Sequence, residues 1–453
     1  MDWHAHPQSH CNRNADCYAH GHQFTHGHGD AYGDGHAHCY GDGYAHRHGN
    51  GNGHSDCHAH GNGYTYGNGN GNGNGHCYSH CDQLPLSRDS SGIGSTHNEE
   101  DSVKDTAKLL QTLSEANGVS GHEAPVRELI IQELGPLADE VTVDRLGNII
   151  AVQHGAGDEP RPRIMLATHM DEIGLMVLRI EEGFLRFVTV GGFDPRVLLG
   201  QEVVVHGKQP LPGVIGSRPP HVVSKEERKK PVPLEELFID VGLSDEQARE
   251  LVQIGDAVTL AQPFIEFKGK GRLASGKAFD NRTSVIAMIL ALDALSRLHH
   301  TWDVYAVATV QEEVGLRGAT SSAYGIAPDV AIAIDVTQGD MLGASEAETM
   351  KVGDGPAIGL GPNFHPAVHD RLVQTAKAHE IPHQIDPMPW PGGTDAAAIQ
   401  MTREGIPTSL LSIPLRYMHT VVETVALPDI ERTGRLLAHF IAELTDKDWL
   451  TNP

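Results

Sequence analysis

Five separate segments of this 453-residue chain end in residues that can bind metal ions. In one of them, TVQEEVGLRG, Glu312 and Glu313 follow the apolar run VYAVATV directly. Successive side chains of a strand point to opposite faces, so two adjacent carboxylates can reach one cavity only where the strand ends. Two negative charges at such a place need a positive group beside them. The pair therefore indicates a site for cations.

The other four segments have the same character. His169 and Asp171 end the apolar run in IMLATHMDE, and Asp280 lies in a turn before a helix in GKAFDNRTS. Asp335 is carried by AIAIDV, and His419 by LRYMHT in a late loop. Ligands of open α/β sheets bind beyond the carboxyl ends of the strands, so we expect these side chains to converge.

Carboxylates clustered in this way repel one another strongly at low dielectric unless cations lie between them. Imidazole together with carboxylate suits Zn²⁺ or Co²⁺ better than Mg²⁺. The residues therefore predict a centre for two divalent metal ions, Zn²⁺ or Co²⁺. An Asp one residue away from a His can also accept from the ring and orient it.

Apolar strands and helices must position these residues. A hairpin is predicted over 140–153, and amphipathic helices are predicted within 102–121, ending at Asn117-Gly118, and over 124–134. Further strands are expected within 163–174, 303–310 and 329–336, with helices over 283–298, 366–380 and 428–444. Nearly all-apolar strands between helices are typical of a sheet buried on both faces. The pattern predicts an α/β domain with helices on both faces of a mixed sheet.

The segment from about 174 to 268 differs from the rest. It gives six short alternating pieces broken by Gly and Pro, which predicts a small β-barrel or sandwich inserted into the α/β domain. The charged, Pro-containing stretch 224–236 within it is interpreted as a solvated loop.

Residues 1–102 are rich in Gly, His, Asn, Asp, Tyr and Cys; the first hundred hold 17 of the 30 histidines and all six cysteines. Such a segment buries too little apolar surface to offset the entropy of ordering, so a disordered tail is predicted. It could buffer metal ions, because closely spaced His and Cys bind soft and borderline cations. The irregular spacing matches no closed zinc site and favours a solvated extension, or a start codon assigned too far upstream.

Charge and composition disfavour several classes of partner. The chain has 34 Lys+Arg against 59 Asp+Glu, whereas nucleic acids and anionic membranes require a basic face. No stretch reaches the ~20 apolar residues of a membrane span, and the N-terminus shows no signal-peptide pattern. The absence of Cys from residue 82 onwards suits a reducing compartment. We expect a cytoplasmic protein without nucleic-acid or membrane partners.

Eight motifs taken together resemble one family. THMDEIGLMV, GGFDPRVLLGQ, IGSRPPH, AFDNRTS, QEEVGLRGA, AIDVT, PGGTDA and YMHT are similar, in type and order, to motifs of the tetrahedral aminopeptidases. These enzymes, also called glutamyl or deblocking aminopeptidases, form metallopeptidase family forty-two and were once labelled cellulase-related endoglucanases. The resemblance spans roughly residues 103 to 445 and leaves out the His-rich tail.

The resemblance implies a role for each candidate residue. His169 and Asp335 would hold one metal ion, Glu313 and His419 the other, and Asp280 would bridge the two. Glu312 would be the general base, and Asp171 would orient His169. The implied activity is removal of N-terminal residues from peptides by a metal-activated water.

The resemblance also implies an architecture. A dinuclear metallopeptidase domain would be formed by 103–173 and 269–453, with a PDZ-like barrel inserted over 174–268. This barrel is similar to the family's dimerisation domain, through which dimers build a hollow tetrahedral dodecamer that admits peptides.

Three other functions stay open at this point. A related dinuclear carboxypeptidase or amidohydrolase could use the same catalytic fold. An endoglucanase would need two carboxyls placed across a glycosidic bond, whereas these carboxylates are better explained as metal ligands. A non-enzymatic protein could sequester metal ions through its tail. The preferred N-terminal residue of the substrate is not predicted.

Overall fold

The computed structural model describes residues 104–222, 224–225, 229–390 and 392–450, and every structural statement below concerns these residues. The predicted disordered tail over 1–102 lies outside them. Part of the predicted solvated loop over 224–236 also lies outside them.

The strands of the described residues are, in chain order, β1 Glu140–Val143, β2 Ile149–Gln153, β3 Arg163–His169, β4 Gly174–Glu181, β5 Phe184–Val190, β6 Glu202–His206, β7 Pro210–Gly216, β8 Phe238–Asp240, β9 Ala257–Leu260, β10 Ile265–Glu266, β11 Leu273–Gly276, β12 Asp303–Thr309, β13 Val330–Gln338, β14 Ala357–Leu360, β15 Gln384–Pro387, β16 Thr408–Arg416 and β17 Glu423–Ala426. The α-helices of the same part are α1 Thr106–Glu115, α2 Ala124–Leu134, α3 Asp245–Leu251, α4 Phe279–Leu295, α5 Arg317–Ile326, α6 Pro366–Ala378, α7 Asp395–Gln400 and α8 Leu427–Ala442.

One mixed sheet forms the centre of the α/β part, with the strand order β1-β2-β12-β3-β13-β16-β17-β11-β10; β14 also pairs with β16, and β15 pairs with β14. Strands β12, β3, β13 and β16 are neighbours and run parallel, and their register pairs Thr309 with His169 and Asp335 with Ser412. Parallel strands end at the same edge of a sheet, so this register brings the carboxyl ends of these strands together.

Helices cover both faces of this sheet. Ile164 and Leu166 of β3 pack in a core with α4 and α8, whereas Met165 and Ala167 pack on the opposite face with α5 and α7. The alternation follows from the two-residue period of a strand. The predicted mixed α/β domain is confirmed, and so are the hairpin, formed by β1 and β2, and the helix expected over 283–298, which is α4 and is buried.

The six pieces predicted in the middle segment form a closed barrel with the order β4-β5-β8-β7-β6-β9. Alternate residues point inward and build a separate apolar core, including Leu175, Val177, Val205, Ile239 and Val258. The structure therefore decides for a barrel over a sandwich. The described helices include none with the length and apolar content needed to cross a membrane.

Several helix limits differ by one to four residues from those expected, and two of the differences lie near the site segments. Helix α1 ends at Glu115, before the Asn117-Gly118 pair, because Ala116 already adopts an extended conformation. Helix α4 begins at Phe279, four residues earlier than expected, but Asp280 and Asn281 within its first turn have non-helical dihedral angles. The predicted turn at Asp280 is thus present inside the helix limits.

Candidate metal centre

The parallel strands deliver the first residues of the site. His169 is the last residue of β3, and Asp335 lies on the adjacent β13. Strand β12 ends at Thr309 on the other side of β3, and the chain then turns into the segment that carries Glu312 and Glu313. His169, Glu312 and Asp335 are buried, at 2%, 8% and 6% exposure.

The two adjacent glutamates reach one cavity because the chain leaves the strand before them. Gln311 adopts the left-handed conformation, with φ 56°, and this breaks the alternation of β12. The backbone N–H groups of Glu312 and Glu313 then donate to the two carboxylate oxygens of Asp171, at 3.0 and 3.2 Å. The turn is wrapped around a buried carboxylate, so both glutamate side chains face the same space.

Asp280 and His419 approach from the other side. Asp280 has extended dihedral angles, φ −77° and ψ 101°, within the first turn of α4. His419 lies between β16 and β17 in the left-handed conformation, with φ 59°. Neither residue has regular secondary structure at its own position, so contacts distant in sequence must hold both.

The five predicted ligands form two sets that share one residue. His169 Nε2 lies 3.1 Å from Asp280 Oδ1 and 3.7 Å from Asp335 Oδ1. His419 Nε2 lies 3.4 Å from Asp280 Oδ2 and 3.4 Å from Glu313 Oε2. The two oxygens of Asp280 therefore face different imidazoles. The same region contains potential metal-binding groups formed by His169 with Glu312 and Asp335, and by His169 with Asp280 and Glu313.

The charges of the cluster are unbalanced in the protein alone. Burial and the Asp335, Asp395 and Glu313 charges raise the pKa of Glu312 to about 10. Burial and the charge of Asp280 raise the pKa of Glu313 to about 8. Both carboxyls hold protons at neutral pH because the nearby imidazoles offset the burial and the carboxylate repulsion only in part, and divalent cations would take the place of those protons. The donor set of imidazole and carboxylate thus fits divalent metal ions.

The imidazoles respond to the same negative field. Hydrogen bonding to Asp280 raises the pKa of His419 to about 9. Burial by itself would lower the pKa of His169, but the charge of Glu312 and the neighbouring aspartates outweigh it and raise that pKa. Both rings therefore lie in a strongly negative field that favours any bound cation.

Asp171 lies behind the cluster and contacts more than the ring of His169. The Nδ1 of His169 is 3.2 Å from the backbone carbonyl of Asp171 and 3.5 Å from its carboxylate Oδ1. Ser120 Oγ donates to Asp171 Oδ2 at 2.5 Å. The carboxylate thus lies beside the ring and also holds the turn of the two glutamates, and no residue pattern indicated this second contact.

Two further buried carboxylates contact the site elements and were not predicted. Asp395 follows the PGGT part of the PGGTDA motif and accepts from Thr309 Oγ1 at 2.5 Å, and its burial raises its pKa to about 7. Glu423 accepts backbone hydrogen bonds from Asp280 and His419. For Glu423, the only signal in the sequence was its charged side chain within the mostly apolar run VVETVAL.

A cavity of about 400 Å³ opens onto the cluster, and its remaining lining is uncharged: Gly192, Val336, Gly393, Thr394 and Met418. Gly192 follows β5, so the barrel contributes to this wall. A Cβ added to Gly192 would lie 3.2 Å from Nδ1 of His419. The ring can approach this closely because residue 192 has no side chain.

Comparisons with known proteins show the family of this chain. A family model described as M42 glutamyl aminopeptidase matches residues 147–436. The lysyl aminopeptidase of Pyrococcus furiosus is 38% identical over 349 residues, which cover 76% of this chain and 98% of that protein. Aminopeptidase APDkam598 of the archaeon Desulfurococcus kamchatkensis has a similar structure, with a TM-score of 0.69 and 39% identity over 76% of this chain and 96% of the other.

A third similar structure is the TET1 peptidase of Pyrococcus horikoshii, described as able to assemble into a tetrahedron or a large octahedral shell. Its TM-score is 0.66 and its identity 35%, over 75% of this chain and all of that chain. Fold, site and relatives define the class as metal-dependent aminopeptidases, hydrolases that act on peptide bonds. This chain belongs to the M42 peptidase family. The predicted family and enzyme class are confirmed, and the non-enzymatic alternative is wrong.

Proposed function

We propose that this protein is a dinuclear aminopeptidase. His169 and Asp335 would hold one divalent ion, Zn²⁺ or Co²⁺, and Glu313 and His419 the other, with Asp280 shared by both. The observation that carries the proposal is the placement of Asp280, whose Oδ1 faces His169 at 3.1 Å while its Oδ2 faces His419 at 3.4 Å. A carboxylate between two imidazoles is the arrangement that a bridging ligand requires.

Glu312 is the proposed general base. Its Oε2 lies 3.9 Å from His169 Nε2, and its side chain lines the same cavity as the proposed ligands, where it could reach a substrate and an attacking water. Divalent cations at this site supply Lewis acidity, which lowers the pKa of water and polarises the scissile carbonyl. Glu312 would take the proton from the attacking water and return it to the departing amine of the peptide.

Asp171 would keep this base in place. Its carboxylate accepts from the backbone N–H groups of Glu312 and Glu313, so neither glutamate can turn away without losing a buried hydrogen bond. The Ser120 hydroxyl donates to the same carboxylate and limits its rotation. We therefore infer that Asp171 positions Glu312 and Glu313 as well as the ring of His169.

The test separates the two glutamates. Glu312→Gln should abolish peptide hydrolysis while leaving bound metal near the wild-type amount, because the base is not a ligand. Glu313→Gln should lose both metal and activity. Each variant is compared with wild type by metal analysis of the purified protein and by hydrolysis of aminoacyl chromogenic substrates. Substantial turnover by Glu312→Gln, or a metal loss equal to that of Glu313→Gln, would refute the assignment.

We also propose that the chain self-associates through the inserted barrel, over 174–268, and that 103–173 and 269–453 form the catalytic domain. The description of the Pyrococcus horikoshii relative supports assembly into a closed particle. The barrel exposes large apolar side chains that contacts between subunits would cover, including Leu178, Val214 and Ile254. The proposed assembly is a dodecamer. We propose that the enzyme is cytoplasmic and acts on peptides. Native mass spectrometry should give a large even oligomer, and a fully active monomer would refute it.

A further inference from the structure

Glu423 is the first residue of β17, and its side chain is 2% exposed. Its Oε2 accepts from the backbone N–H of Asp280 at 3.0 Å, and its Oε1 accepts from the backbone N–H of His419 at 2.9 Å. We infer that Glu423 is a positioning residue that fixes the separation of Asp280 and His419, and thereby shapes one of the two metal positions. This inference rests on the dinuclear site proposed above.

Both residues that Glu423 holds have irregular backbone. Asp280 is non-helical in the first turn of α4, where backbone N–H groups have no partner within the helix. His419 has a positive φ of 59° in the connection between β16 and β17. A left-handed conformation is unfavourable for a residue other than Gly, so it needs specific contacts to persist. One carboxylate supplies such a contact to each of them.

The sheet explains why one side chain can reach both. Strands β11 and β17 are antiparallel, and Glu423 is paired with Gly276, the last residue of β11. The chain leaves β11 at that point towards Asp280 and enters β17 from the turn that contains His419. Glu423 therefore lies at the junction of the two segments, although Asp280 and Glu423 are 143 positions apart.

The chemistry requires a glutamate. A carboxylate has two acceptor oxygens and no donor, so it can accept from two N–H groups at once. A glutamine keeps one acceptor and places an NH₂ donor against the second N–H. An aspartate keeps both oxygens, but its side chain is one methylene shorter, so it can keep one contact at most in this geometry.

The experiment is a Co²⁺ titration of the full chain, followed by calorimetry and by visible absorption of the bound ion. Substitutions of groups that orient metal ligands cost about 10- to 100-fold in metal affinity. Glu423→Gln should bind one of two Co²⁺ ions about 10- to 100-fold more weakly, with a changed absorption spectrum. Its kcat should fall and partly recover at high Co²⁺, while KM for the substrate stays near the wild-type value.

Asp429 provides the matched control. It is also fully buried, and it accepts from the backbone N–H groups of Gly353 and Gly355. Neither glycine lies in a segment that carries a proposed metal ligand. Asp429→Asn should lower thermal stability while leaving Co²⁺ affinity and spectrum unchanged. An equal weakening in both variants would show a general structural effect and overturn the inference. Wild-type affinity and spectrum in Glu423→Gln would also overturn it.

A second variant covers a folding defect. If Glu423→Gln is insoluble, Glu423→Asp should fold and show a smaller loss of affinity at the same position, and unchanged Co²⁺ binding by this variant would refute the inference. Failure of the dinuclear site itself gives a different result. Wild type would then bind fewer than two Co²⁺ ions, or Glu313→Gln would bind them as wild type does.

Discussion

Glu172 is a buried carboxylate between two buried cations, and its replacement should destabilise the protein more than replacement of one of them, Lys277. Lys277 Nζ is 2.7 Å from Glu172 Oε2, and Arg282 Nη2 is 3.7 Å from Glu172 Oε1. The side chains are 4%, 7% and 0% exposed for Glu172, Lys277 and Arg282. Burial lowers the pKa of Lys277 and of Arg282, so both cations depend on this carboxylate.

The expected loss of unfolding free energy depends on which buried charges each substitution leaves without a partner. Glu172→Gln leaves two cations whose other contacts are the backbone carbonyls of Ala116 and Leu113. Breaking a buried pair by removing one partner costs about 3–5 kcal/mol. Lys277→Met leaves Glu172 with Arg282 and with the N–H of Gly118 at 3.0 Å. It loses the charged hydrogen bond to Glu172, about 1.5–3 kcal/mol, and the hydrogen bond to the partly buried Ala116 carbonyl.

The assay is urea unfolding followed by tryptophan fluorescence, to which buried Trp302 contributes, for wild type, Glu172→Gln, Lys277→Met and the double variant. Glu172→Gln should lose more unfolding free energy than Lys277→Met. The double variant should lose less than the sum of the two single losses. A cost for Lys277→Met as large as that for Glu172→Gln would refute the reasoning.

Glu172→Gln should also affect the metal centre. Glu172 exchanges backbone hydrogen bonds with Gly118 and Ser120, and the Ser120 hydroxyl donates to Asp171. The Gly118 N–H also donates to Glu172 Oε1, so loss of the Glu172 charge should weaken this contact and loosen the loop and the carboxylate that holds the two glutamates. We expect Glu172→Gln to lower kcat as well as stability, and Lys277→Met to lower kcat less.

Two other predictions concern the cavity wall and a buried acid. Gly192→Ala should displace the ring of His419 and lower Co²⁺ affinity, because the new Cβ would lie 3.2 Å from its Nδ1. Gly269→Ala is the control: Gly269 has no positive φ, and its new Cβ would meet no atom within 4 Å, so Co²⁺ affinity should stay unchanged and exclude a general effect of glycine replacement. The pKa of Asp395 is raised from 3.8 to about 7, so the folded protein holds this proton more tightly than the unfolded chain and loses stability as pH rises through that range. The side chain introduced by Asp395→Asn cannot ionise. Without metal, this variant should therefore gain roughly 3 kcal/mol of unfolding free energy relative to wild type between pH 5 and pH 8, at about 1.4 kcal/mol per pH unit below the folded pKa. Equal pH dependence of urea unfolding in the two proteins would contradict this.

The sequence by itself determined the elements and the ends at which chemistry could occur. Apolar runs and two-residue alternation predict β3, β12, β13 and the six strands of the barrel, because these patterns report which face of each segment is buried. Ligand-type residues at the ends of such runs then identify His169, Asp335 and the Glu312-Glu313 pair. These signals are local, and they need no knowledge of which strands are neighbours.

Only the tertiary structure decided how those residues are held. Asp171 accepts from the backbone of Glu312, 141 positions away, and Glu423 joins Asp280 to His419. Gly192 of the barrel wall lies against the ring of His419. Each contact depends on the order of strands in the sheet and on irregular backbone at a turn. Local periodicity encodes neither, because a burial pattern specifies that a face is covered but not by which distant segment.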